Sequence, residues 1–127
     1  MEQKHILVVE DDTVVSDSVA FTLREAGYYV DTTVSGRNGV QMALKSHPDL
    51  IIADLILPDI NGAEMIAEIR RDVWGKTAKV LVLTNINEDQ IRNKLDDLNI
   101  SGFLLKVDNT LKQISQEVNG ILENRKP

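Results

Sequence analysis

Apolar residues fall along this chain in two alternating rhythms. The run HILVV (His5–Val9) is apolar beyond its first residue and ends at Glu10, Asp11 and Asp12, which predicts a short buried strand. After it, Val14, Val15, Val19, Phe21, Leu23 and Ala26 recur around a helix with one dominant apolar side. Asp12 or Thr13 can cap its start and Gly27 can end it. YYVDTTV (Tyr28–Val34) alternates weakly, and its polar residues place this second strand toward a sheet edge. Val40, Met42, Ala43 and Leu44 mark a second helix that stops before Pro48.

Leu50–Leu55 reads as a third strand buried on both faces, as an internal parallel strand requires. The turn LPDING then leads to a helix carrying Met65, Ile66 and Ile69. KVLVLT (Lys79–Thr84) is the fourth strand, and Asn87 or Glu88 opens a helix through Ile91, Leu95 and Leu98. GFLLK (Gly102–Lys106) is the fifth strand, and the last helix places Leu111, Ile114, Val118, Ile121 and Leu122 on one side. Five strand–helix units with short links predict a single α/β domain over residues 1–127. Its expected form is an open five-stranded parallel sheet with helices on both faces and right-handed crossovers. Trp74 reads as a surface or cover residue, and His5 and His47 as incidental surface residues.

Composition narrows the chemistry. The 127 residues are 43% hydrophobic and 27% charged, ordinary for a globular domain. A net charge of -6 argues against direct binding of nucleic acid or anionic lipid by this chain. Without cysteine there are no disulfides, thiolate metal sites or cysteine nucleophiles. No apolar run reaches membrane-spanning length, and Met1–Lys4 does not lead into a secretory leader, so a cytoplasmic protein is expected. Neither GxxxxGK[ST] nor GxGxxG occurs, and VSGRNG is too weak to argue a nucleotide site.

The acidic residues after the first strand gain meaning beside Asp54, which interrupts an apolar run at the end of the third. Ligands of open α/β sheets bind beyond the carboxyl ends of the strands, where strand order reverses. If strands one and three are neighbours, Glu10, Asp11 and Asp54 meet there, with Thr84 and Lys106 arriving from strands four and five. Three carboxylates at close range either raise one another's pKa or are neutralised by a cation. Oxygen donors without cysteine or clustered histidine favour Mg²⁺, or Mn²⁺. Asp54 is then either a nucleophile toward a phosphate donor or simply a ligand.

In this order and spacing the motifs resemble the receiver domain of two-component response regulators, the CheY-like family, over nearly the whole chain. ILVVEDD matches its first strand and acidic pair, DLIIADLILPDINGAE its phosphoacceptor strand and turn, VLVLTN and GFLLK its switch and lysine segments. The resemblance implies a flavodoxin-like doubly wound fold. It implies that Asp54 accepts a phosphoryl group from a sensor histidine kinase or a histidine phosphotransfer protein. Glu10, Asp11, Asp54 and the backbone carbonyl of Ile56 would then bind Mg²⁺. Thr84 becomes the switch hydroxyl, Phe103 the switch aromatic, and Lys106 the site lysine. The protein would act on itself, so "enzyme" describes it only loosely. A downstream output domain or protein would read the result. The chain stops after NGILENRKP, so it is expected to be a stand-alone receiver or a piece cut near a linker.

Three departures stand out. Val107 follows Lys106 where the family usually has proline, and a cis bond before a non-proline residue costs about 2.5–4 kcal/mol, so a trans bond is expected. Asn85 follows Thr84 where a small residue is usual. Ile56 and Ile86 are apolar at positions that influence phosphoaspartate hydrolysis in relatives, which predicts a long-lived phosphorylated form. Lost chemistry at Asn85 and Val107 would instead leave a degenerate receiver acting as a phosphorylation-independent interaction module. A Mg²⁺-dependent phosphatase on a similar sheet is disfavoured, because Ile56 stands where its second carboxylate is expected.

Overall fold

The computed structural model describes residues 3–123; Met1, Glu2 and the NRKP end beyond Glu123 lie outside it. Five strands, β1 (His5–Val9), β2 (Tyr29–Thr33), β3 (Leu50–Ala53), β4 (Val80–Thr84) and β5 (Gly102–Leu105), form one sheet in the order β2-β1-β3-β4-β5. Every pairing is parallel. The chain therefore first moves outward from β1 to β2, then returns past β1 to β3. That reversal leaves the crevice between the ends of β1 and β3.

Five helices cover the sheet: α1 (Thr13–Glu25), α2 (Gly36–Ser46), α3 (Gly62–Arg71), α4 (Glu88–Asp96) and α5 (Leu111–Leu122). Side-chain alternation along the strands sorts them between two cores. Ile6, Val8, Leu50, Ile52, Leu81 and Leu83 face α1 and α5, against Val19, Leu23, Ile114 and Val118. Leu7, Val9, Ile51, Ala53, Val80 and Val82 face α2, α3 and α4, against Ala43, Met65, Ile66, Ile69 and Leu95. Each large aliphatic side chain so buried contributes about 1.5–3 kcal/mol, and β3, buried on both faces, is the middle of both cores.

Local signals start and stop the helices. Asp12 caps α1, accepting from the backbone N–H of Val14 at 3.0 Å and Val15 at 3.3 Å. Gly27, at φ 102, turns the chain away from α1 in a region that favours glycine. Asn87 caps α4, and Thr110 with Gln113 forms a reciprocal capping box on α5. At the end opposite the crevice, the Arg70 guanidinium donates to four carbonyls: Leu98 (2.9 Å), Asn99 (3.1 Å), Gly75 (2.8 Å) and Ala78 (2.6 Å). Burial beneath those carbonyls lowers its pKa.

Several details differ from the sequence reading. Strands β3, β4 and β5 are each shorter by one or two residues, because Asp54, Leu55, Lys79 and Lys106 leave the ladder. Val14 and Phe21 are 73% and 65% exposed, since the buried stripe of α1 runs through Ser16, Val19, Ala20 and Leu23. Leu111 is also exposed, at the first turn of α5. His5 is not incidental: its Nε2 lies 3.0 Å from Asp31 Oδ2 on the paired strand, and its side chain is largely buried. His47 ends α2 in the left-handed region and stacks on Trp74 at 4.5 Å. Trp74 is thus a cover residue, half-buried against the second core.

Candidate functional site

Three strand ends build the site. Glu10 follows β1 directly and is 3% exposed, while Asp11 points to solvent and Asp12 is committed to the helix cap. The acidic run therefore divides by position: two carboxylates remain for the crevice and one serves α1. Asp54 follows β3 and is 6% exposed. One carboxylate oxygen from each of Glu10, Asp11 and Asp54 lies within 4.8 Å of the others.

Lys106, just beyond β5, reaches across this group. Its Nζ is 2.6 Å from Glu10 Oε1 and 2.6 Å from Asp54 Oδ2. The second Glu10 oxygen accepts from the Asp12 N–H at 3.1 Å. The second Asp54 oxygen accepts from the N–H groups of Leu55 at 2.7 Å and Ile56 at 3.2 Å. Asp54 is thus fixed in one orientation by its own turn and by the ammonium. That turn needs Gly62: a Cβ there would overlap the Asp54 carbonyl oxygen and stand 2.7 Å from Leu55 Cα.

Burial raises the Glu10 pKa, with the hydrogen bonds from Lys106 and the Asp12 N–H only partly opposing it. Burial lowers that of Lys106, but its hydrogen bonds to Asp54 and Glu10 outweigh this and the net direction is upward. Three carboxylates against one ammonium leave two negative charges uncompensated. An all-oxygen set with that surplus fits a hard divalent cation.

Thr84 is fully buried at the end of β4, and its Oγ1 is 3.4 Å from the Ile86 N–H. Phe103 is half-buried on β5 and packs against the second core, opposite Val82 in the ladder. Alternation from Val82 puts Thr84 on that same face. The Ile56 side chain is exposed at the rim, while its backbone N–H donates to Asp54. Ile86 instead packs on the second core, beside Leu55 and Ile91.

Two contacts around the site escaped the sequence reading. Asp59 accepts from Ser35 Oγ (2.7 Å) and from the N–H groups of Gly36 (2.9 Å) and Arg37 (3.0 Å), capping α2 from another loop. These hydrogen bonds, led by the one from Ser35, hold its pKa well below the usual carboxylate range. The weak VSGRNG motif is thereby explained: its helix N-terminus already holds an anion, the protein's own. Asn85 Oδ1 accepts from the Val107 N–H at 3.0 Å. The expected trans bond at Val107 is found, as no cis peptide occurs among the described residues.

Comparison with known proteins agrees with this architecture. The family model described as "Response regulator receiver domain" matches residues 6–119. The chain belongs to this family. The receiver is 36% identical over 101 residues to the DNA-binding dual master transcriptional regulator RpaA of Synechocystis, covering 80% of this chain and 42% of that protein. It is 34% identical to the transcriptional regulatory protein CusR of Escherichia coli, covering 80% and 44%. The chain thus spans less than half the length of the curated relatives it matches. Among solved structures it resembles chemotaxis response regulator CheY4 of Vibrio cholerae, with TM-score 0.88, 26% identity and coverage of 95% and 100%. The phosphorylated cyanobacterial phytochrome response regulator RcpA aligns with TM-score 0.85, 26% identity and coverage of 99% and 98%. Among the described residues no helix of this receiver is long and apolar enough to cross a membrane.

Proposed function

We propose that Asp54 accepts a phosphoryl group from a phosphohistidine on a sensor histidine kinase or a phosphotransfer protein, and that the receiver then switches a partner-binding surface. The observation that carries this reading is the Lys106 ammonium, 2.6 Å from both Glu10 and Asp54. An Asp54 oxygen forms the new O–P bond as the P–N bond breaks. The bonding pair stays on the imidazole nitrogen, which takes up a proton. The Leu55 and Ile56 N–H groups hold the other carboxylate oxygen and so aim the attacking one. Lys106 exchanges its Asp54 contact for a phosphoryl oxygen and neutralises charge there.

Glu10, Asp11, Asp54 and the carbonyl of Ile56 are the groups that would hold Mg²⁺, with Mn²⁺ as a substitute. When bound, that ion withdraws charge from the transferring group. A phosphorylated relative of the same fold, RcpA, supports the reading. Phosphorylation adds a dianion and three acceptor oxygens beside Thr84. The Thr84 hydroxyl turns toward them, vacating space on the face that Phe103 shares. The cleft between the start of α4 and β5, lined by Phe103, Asn87 and Glu88, changes with it. Relatives named as transcriptional regulators point to a downstream output domain or protein as the reader.

The test is intact mass after incubation with Mg²⁺ and acetyl phosphate. Wild type should gain one phosphoryl group and Asp54→Ala none. Absence of gain in wild type, with no Mg²⁺ binding by calorimetry, would leave a phosphorylation-independent interaction module. Turnover of small phosphate esters would mean a phosphatase.

A further inference from the structure

The two departures from the family pattern that seemed to threaten the site are each other's partners. The β4–β5 ladder ends at the pair Thr84 and Leu105. One residue further on each strand stand Asn85 and Lys106, and Val107 comes next. The Asn85 side-chain oxygen accepts from the Val107 N–H at 3.0 Å, acting as one more rung of the ladder. A residue without a side-chain acceptor at 85 cannot make this bond, and a proline at 107 has no N–H to offer.

The contact falls where Lys106 is most in need of restraint. On the other side of the lysine, the Leu105 carbonyl accepts from Asn109 Nδ2 at 2.8 Å. The backbone of Lys106 is therefore held on both flanks by side-chain amides, within a short 3-10 turn over Lys106–Asp108. Beyond it the ammonium makes both of its 2.6 Å contacts with Glu10 and Asp54. Val107 itself is 75% exposed, so packing does not fix this turn.

We infer that Asn85 is a positioning residue: it grips the Val107 N–H and so holds the Lys106 ammonium over Glu10 and Asp54, in place of the rigidity a proline ring would supply. This rests on the phosphoacceptor reading of Asp54. Asn85 touches neither carboxylate and acts only through the backbone that follows Lys106.

A four-protein cycle tests it: wild type, Asn85→Ala, Val107→Pro and the double variant, each with acetyl phosphate varied at saturating Mg²⁺. Asn85→Ala should lower the maximum rate of Asp54 phosphorylation roughly three- to tenfold, the factor that one ordinary net hydrogen bond supplies. The apparent affinity for acetyl phosphate should not change. In the Val107→Pro background the same substitution should change the rate less than about twofold, the non-additivity of a contacting pair. Equal slowing in both backgrounds, or a loss confined to donor affinity, overturns the inference. Amide exchange at Val107, read by NMR without any phosphodonor, should quicken in Asn85→Ala, and unchanged protection there also overturns it. A wild type that exchanges as expected but takes no phosphoryl group would instead overturn the reading of Asp54.

Discussion

Replacing Lys106 with methionine keeps most of the side-chain volume and removes the one cation that, among the described residues, faces the carboxylates. Unit charges 2.6 Å apart attract by roughly 1.6 kcal/mol in water and about 6 kcal/mol at an effective dielectric of about 20. Desolvation of three largely buried groups cancels much of that gain. Breaking a buried pair by deleting one partner typically costs about 3–5 kcal/mol, because the other is left uncompensated. Here Asp11 opens the site to solvent, so about 2–3 kcal/mol is expected, near 10 °C in unfolding temperature for a chain of this size. The same change should favour a divalent cation. An ion among these oxygens would sit about 5 Å from the ammonium, and even at the dielectric of water their repulsion is roughly 1.6 kcal/mol. Mg²⁺ should therefore bind Lys106→Met about tenfold more tightly than wild type. Thermal unfolding without divalent ions and calorimetric titration with Mg²⁺ measure the two effects. An unchanged unfolding temperature together with an unchanged Mg²⁺ affinity would refute the argument that this ammonium neutralises the pair.

Other outcomes follow from the same geometry. Glu10 has a raised folded pKa, so it contributes stability when protonated, below the unfolded value of about 4.3, and loses that contribution as pH rises through the folded value. Glu10→Gln should therefore unfold at a higher temperature than wild type at pH 7, without metal, and the advantage should vanish below about pH 4. Asp59, with its lowered pKa, has the opposite sign. Its contribution is present above the unfolded value and lost as acid brings the pH toward the folded one, so Asp59→Asn should flatten acid unfolding below about pH 4. Gly62→Ala should destabilise by about 2 kcal/mol in denaturant titration, because its Cβ meets backbone that cannot turn aside. Polar residues at both Ile56 and Ile86 should speed loss of phosphate from Asp54, followed by intact mass; an unchanged lifetime would count against the proposed apolar protection.

Most of the fold was legible because it rests on local periodicity. Leu50–Ala53 could only be an internal strand, and the polar Asp31, Thr32 and Thr33 could only suit an edge. The α1 stripe was misread because Val14 and Phe21 are apolar yet sit nearly half a turn around the helix from Val19 and Leu23, on its solvent side. The crevice was legible for a different reason: parallel strands deliver every strand end to the same side, so Glu10, Asp54 and Lys106 had to converge once β1 and β3 were neighbours. What stayed hidden were pairings between residues distant in sequence. Nothing local links Asp59 to Ser35, Asn85 to Val107, or His5 to Asp31. Each needs the register of two elements before its donor and acceptor can be seen to meet.

The Arg70 contacts make the two ends of α4 unlike. The guanidinium fastens the carbonyls of Leu98 and Asn99 to those of Gly75 and Ala78. Leu95, near the same end, is the one residue of α4 whose side chain is buried. The end nearest Thr84 is held instead by Ile86 and Ile91, partly buried against the second core. The helix is built as a cantilever, clamped by hydrogen bonds at the floor of the molecule and held by lighter packing at the rim. On the phosphoacceptor reading, a displacement beside Asp54 would act on the less firmly held end of the helix.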